Sequence, residues 1–251
     1  MEKQNSKHNI LFFHMGPGFH AKIEALQFSS KHPRVAFLDQ PLNATFSELT
    51  DWACEVIRKY AQNHTGKVKL LGHSFGGQVI AAAMPSIGDL VSEIRFLNSA
   101  YDSFDCFVNL ENTLEPQNLK PLQYWKAKSL EEKMSLIFHI SQLPQFSSTY
   151  WRNVEARNTY EKISTSYPPV DIDSFVKAFS DYLQRPQSKR KDIWKGPTKI
   201  YYSCSDNLIK SFKVISPWKE SFPNAHFIEV FNIGHHGLFE SPQLADDFFK
   251  D

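Results

Sequence analysis

One stretch restricts the fold more than any other. Residues 67–84 read KVKLLGHSFGGQVIAAAM, an apolar strand-like run that passes through a single serine straight into a helix of small residues. Gly72, Gly76 and Gly77 surround Ser74. Glycine weakens regular structure, so three of them at one junction call for a turn too tight for side chains. Gly72-His73-Ser74-Phe75-Gly76 fits G-x-S-x-G, placed after a strand and opening a helix. There the motif holds a serine hydroxyl out at a sheet edge, and the helix N-terminus offers backbone N–H groups to a developing anion. The alternative is a glycine-rich strand–helix turn with an incidental serine. The helix is expected from Phe75 to about Met84, with Pro85 helping to end it.

The rest of the chain repeats the same rhythm. Apolar runs at 9–14, 34–39, 67–73, 93–99, 198–204 and 225–231 predict six strands, most of them followed by helical periods. Residues 45–64 carry Phe46, Leu49, Ala53, Val56, Ile57 and Tyr60 on one helical face, and Thr45 with Glu48 has capping-box spacing. Alternating strands and helices imply a mainly parallel sheet covered on both faces. The rhythm breaks between 104 and 185, where no strand is expected. Stripes of Leu130, Met134, Ile137, Phe138 and Leu143, and of Ile172, Phe175, Val176, Phe179 and Leu183, predict helices. We expect a core of 1–103 and 186–251, with 104–185 as a helical lid near the carboxyl ends of the strands. The plainer alternative is a helical elaboration that only extends the core.

A serine needs a base, and the base needs an orienting group. Asp206 falls just beyond the fifth predicted strand and His235 just beyond the sixth, so both project from the edge that carries Ser74. Asp102, after the fourth strand, is a rival acid, and His236 a rival base. After the first strand, HMGPG (14–18) can bring a backbone N–H beside the serine. Gly16 is the chosen donor, with Met15 as fallback and the N–H of Phe75 as its partner. His14 is expected to make structural hydrogen bonds at that turn.

These motifs resemble the α/β-hydrolase superfamily, in its lidded branch of esterases, prolyl-aminopeptidase-like enzymes and carbon–carbon bond hydrolases. HMGPG is similar to the family's oxyanion loop, GHSFGG to its nucleophile elbow, SCSDNLI to its acid loop and NIGHHGLFESP to its histidine loop. The resemblance implies catalytic Ser74, Asp206 and His235, an oxyanion hole of Gly16 and Phe75, and no cofactor or metal. Met15 stands where the family has a glycine, and LNATF runs directly into a helix where the family has a Gly-x-Gly-x-Ser turn. With about nine residues before the first strand, the family's N-terminal hairpin is expected to be reduced or absent.

Composition adds exclusions. A net charge of +1 over 251 residues gives no footprint for nucleic acid, and the basic run SKRK (188–191) reads as a solvated loop. No stretch has the length of a membrane span, and the short apolar run before His14 does not make a signal sequence. Three scattered cysteines suggest reduced thiols and make the cytoplasm the default location. The expected partner is a small-molecule substrate: an ester with an apolar acyl or aromatic group, suggested by aromatics in the insertion (Phe104, Phe107, Tyr124, Trp125, Phe138, Phe146, Tyr150, Trp151). An amide or carbon–carbon bond substrate, a lyase or transferase on the same fold, and a non-catalytic small-ligand-binding protein are the alternatives. Oligomeric state is not readable from the sequence.

Overall fold

Period-2 alternation decides which way each strand faces. In β1 (Ile10–Phe13), Leu11 and Phe13 enter one apolar cluster while Ile10 and Phe12 enter another on the opposite face of the sheet. The same split recurs in β3 (Val68–His73), β4 (Val91–Leu97) and β5 (Thr198–Tyr202), where Leu71, Leu97 and Tyr201 face away from Leu70, Phe96 and Ile200. With β2 (Val35–Leu38) and β6 (Ala225–Glu229) they form a six-stranded sheet in the order β2-β1-β3-β4-β5-β6, every pairing parallel. This computed structural model describes residues 9–63, 66–185 and 191–250. The N-terminal eight residues and positions 188–190 of the basic run lie outside the described residues.

The chain steps outward from β1 to β2 and then returns past β1 to β3, so the strand order reverses between β1 and β3. In an open parallel sheet the loops at such a reversal diverge and leave a crevice. The loops that diverge here are HMGPG after β1 and the serine turn after β3. Helices α1 (Lys22–Phe28), α11 (Gly237–Glu240) and α12 (Pro242–Phe249) pack Phe28, Leu238, Leu244, Phe248 and Phe249 on one face. Helices α2 (Phe46–Asn63), α3 (Phe75–Ile87), α9 (Phe212–Ile215) and α10 (Trp218–Ser221) supply the other. The predicted capping box forms: Glu48 Oε2 accepts the Thr45 N–H at 2.7 Å, and Thr45 Oγ1 accepts the Glu48 N–H at 3.2 Å.

Two local expectations are corrected. Helix α3 continues through Pro85 to Ile87. Proline loses its own N–H bond and crowds the carbonyl four residues back, but its fixed φ is helical, and the last turn survives. Between β4 and β5 the described residues hold α4 (Ser103–Leu114), α5 (Leu122–Lys126), α6 (Leu130–Ser141), α7 (Val154–Ser164) and α8 (Ile172–Leu183), with no strand. The buried faces of two of them are rotated from the predicted stripes. Phe138 is 37% and Ile172 57% exposed, whereas Ile140, Ala178 and Tyr182 are fully buried. The insertion is enclosed from both the sheet and its own helices, so a one-face pattern misses part of what it buries.

Candidate active site

The serine turn is as tight as the glycines require. Ser74 has φ 52° and ψ −119°, a left-handed backbone that a non-glycine residue adopts at a cost of about 1–3 kcal/mol. A Cβ on Gly76 would overlap the carbonyl oxygens of Phe13 and His14, and one on Gly72 would strike the backbone of Gly77. Helix α3 therefore starts directly against the end of β1. The Ser74 N–H donates to the Leu97 carbonyl at 2.9 Å, which ties the turn to β4.

Beyond β5 and β6, the acid and histidine loops bring two side chains to this hydroxyl. His235 Nε2 lies 2.8 Å from Ser74 Oγ, and His235 Nδ1 lies 2.7 Å from Asp206 Oδ2. Asp206 is wholly buried, and its second oxygen accepts the Leu208 N–H at 2.8 Å. A carboxylate oxygen accepts, so Nδ1 carries the imidazole proton and Nε2 is left to accept from the serine. Fixed donors hold the histidine loop from below: His73 Nε2 bonds the His235 carbonyl at 2.8 Å and Asn98 Nδ2 the Gly234 carbonyl at 3.0 Å. Burial lowers the His73 pKa to about 3, so its ring is neutral and Nε2–H is the donor.

The rival residues are engaged elsewhere. His236 stacks on Trp151, with ring centroids 4.3 Å apart and planes 9° from parallel. Asp102 caps α4 by accepting the Phe104 N–H at 3.0 Å and lies 3.7 Å from the Lys126 ammonium.

The loop after β1 is braced by His14, whose Nδ1–H donates to the Met15 carbonyl at 2.7 Å. Gln40 Nε2 donates to the His14 carbonyl at 3.2 Å. Burial holds the His14 pKa at about 4. Gly16 takes φ +54°, and among the described residues no acceptor takes the Met15 or Gly16 N–H. Met15, Gly16, Ser74, Phe75 and His235 all border one cavity of about 60 Å³. Of the aromatics expected to wall a pocket, Phe107 and Tyr150 reach this cavity, joined by Phe175 and Phe179 from α8. Larger hollows of about 530 and 460 Å³ open on the insertion near Trp125 and Lys126, and neither touches Ser74 or His235.

One feature escaped sequence reasoning. The segment between α6 and α7 straps the acid and histidine loops together. The Tyr150 carbonyl accepts the His235 N–H at 2.7 Å, and Asn207 Nδ2 donates to the Thr149 carbonyl at 3.0 Å. Arg152 Nε donates to the Ser205 carbonyl at 2.6 Å. Glu240 accepts the N–H groups of Arg152 and Gly234, each at 2.6 Å. Most of these partners lie far apart in the chain, and no local pattern announces them.

The family profile described as alpha/beta hydrolase fold matches residues 25–242. The chain belongs to the alpha/beta hydrolase fold family. Methylesterase 3 of Arabidopsis thaliana is 21% identical over 184 residues, which cover 70% of this chain and 65% of that protein. The match thus spans just under two thirds of that relative's length. Among solved structures, the proline iminopeptidase-related protein of Thermus thermophilus superposes with TM-score 0.74 at 15% identity, over 96% of this chain and 87% of that one. A thermophilic esterase of Thermogutta terrifontis superposes with TM-score 0.60 at 18% identity, over 95% and 86%. At these identities the superpositions show a shared fold. Among the described residues, no helix is long and apolar enough to cross a membrane.

Proposed function

We propose that this protein is a serine hydrolase that cleaves a small ester, with an apolar acyl or aromatic group, through an acyl-enzyme on Ser74. The observation that carries the reading is the unbroken path from Ser74 Oγ through His235 to Asp206, with contacts of 2.8 and 2.7 Å. His235 Nε2 takes the hydroxyl proton as Ser74 Oγ attacks the ester carbonyl. Asp206 fixes the imidazole tautomer and stabilises the imidazolium that forms. The N–H groups of Phe75 and of Gly16, or Met15 in its place, receive the oxyanion. One such donor is worth about 3 kcal/mol of transition-state stabilisation. The C–O bond breaks as the imidazolium returns the proton to the departing alkoxide, and water activated by the same Nε2 then releases the acid.

The insertion, residues 104–185, acts as a cap: Phe107, Tyr150, Phe175 and Phe179 exclude water from the cavity beside Ser74. The substrate is a small molecule, and no cofactor or metal takes part. The three cysteines are unpaired, which supports the cytoplasm as the place of action. The methylesterase match favours an ester over an amide. A panel of p-nitrophenyl esters, aminoacyl p-nitroanilides and a carbon–carbon bond substrate tests this choice. Turnover of esters that disappears in Ser74→Ala is expected, and preferential cleavage of the anilides or the carbon–carbon bond would overturn it.

A further inference from the structure

We propose that the acyl group this enzyme accepts is short, about two to four carbons, and that Phe175 and Phe179 set the limit. This rests on the serine-hydrolase reading and narrows its substrate. The cavity beside Ser74 holds about 60 Å³, well below the roughly 150 Å³ of an apolar cavity that admits benzene. A benzoyl or octanoyl group does not fit in it.

The wall that bounds the cavity is anchored to the core. Phe175 and Phe179 sit one turn apart on α8, their rings stacked with centroids 5.3 Å apart and planes 9° from parallel. Phe179 also packs on Phe75, the residue after the nucleophile, at 5.9 Å, and on Phe107 at 5.3 Å. Two loops of the core and the first turn of α2 hold α8 along its length. Asp171 N–H donates to the Gly18 carbonyl at 2.9 Å, Asn43 N–H to Ser174 Oγ at 2.7 Å, and Ser47 N–H to Asp181 Oδ2 at 2.9 Å. A Cβ on Gly18 would overlap the Asp171 carbonyl, so the helix begins directly on the loop after β1. The facing wall, Tyr150, is fixed by its carbonyl bond to the His235 N–H. These bonds fix the backbone that carries the walls, so the rings of Phe175 and Phe179 set the size of the cavity.

The order of events assigns the closed end to the acyl group. The leaving alcohol must depart and water must enter while the acyl group is still bound to Ser74. The alcohol therefore occupies the open side, between the half-buried rings of Phe19, Phe107 and Phe175, and the acyl group the enclosed side, against Cys106 and Phe179. An aromatic portion of the substrate belongs on the alcohol.

The test is kcat/KM for p-nitrophenyl acetate, butyrate and octanoate on the wild type, Phe179→Ala and Phe175→Leu, with a small fluorophosphonate to titrate Ser74. In the wild type, octanoate is expected at least about 100-fold below acetate, since steric misfit in an apolar pocket accumulates with each methylene. The octanoate-to-acetate ratio is expected to rise about tenfold or more in Phe179→Ala, and in Phe175→Leu if the first variant does not fold. A wild type that hydrolyses octanoate as well as acetate, or variants that depress all three esters in parallel, would overturn the assignment. A folded wild type with neither labelling nor turnover would overturn the hydrolase reading instead.

Discussion

Glu24 is the group whose replacement has the most calculable effect. It lies on α1, is 3% exposed, and among the described residues its Oε2 has no hydrogen-bond partner. Burial, with the charge of Asp39 as a lesser cause, pushes its pKa up from 4.5 to about 8. An unfolded chain releases this proton near pH 4.5 while the folded chain holds it to about pH 8. The unfolded state binds fewer protons in that window, so stability falls as pH rises through it. At 1.36 kcal/mol per pH unit, the loss is about 3 kcal/mol at pH 7 and reaches about 5 kcal/mol above pH 8. Glu24→Gln keeps the shape and removes the titration. Urea unfolding at pH 4.5, 6, 7 and 8 is expected to show the variant within about 0.5 kcal/mol of wild type at pH 4.5. The gap should then open in its favour to about 3 kcal/mol at pH 7. Parallel stability curves for the two proteins would refute the buried, protonated carboxyl.

Asp206→Asn leaves His235 without its orienting acceptor and is expected to lower kcat about 10⁴-fold, read from steady-state ester hydrolysis. Arg152→Ala removes the side-chain bonds that fasten the strap to the acid loop. It is expected to lower kcat about tenfold with KM and the melting temperature nearly unchanged, and Arg152→Lys should recover part of the loss. Gly76→Ala drives a methyl group into the Phe13 carbonyl and is expected to destabilise the protein by more than about 3 kcal/mol in thermal or urea unfolding.

The elements that build the sheet were legible because each strand announces itself as a short apolar run bounded by polar residues. The serine turn was legible because glycine at 72, 76 and 77 has few other uses. Asp206 and His235 could be placed at the same edge as Ser74 from strand order alone, since parallel strands deliver all their following loops to one side. The insertion was less legible. Its helices follow the expected period, but Ile140 and Tyr182 are buried and Phe138 is not, because packing partners lie on more than one side. Nothing in the local sequence marks Arg152, Glu240 or Glu24. Their roles come from loops distant in sequence closing around them, which no local pattern encodes. Pro85 fails as a stop for a related reason: a helix held by the sheet keeps its last turn despite a missing bond.

Labelling with a small fluorophosphonate, followed by peptide mapping, bears most directly on the central claim. The expected result is one equivalent of label on the peptide containing Ser74, none on Ser74→Ala, and a rate cut steeply in His235→Ala. Folded wild-type protein that takes up no label, or label that persists in Ser74→Ala, would contradict it.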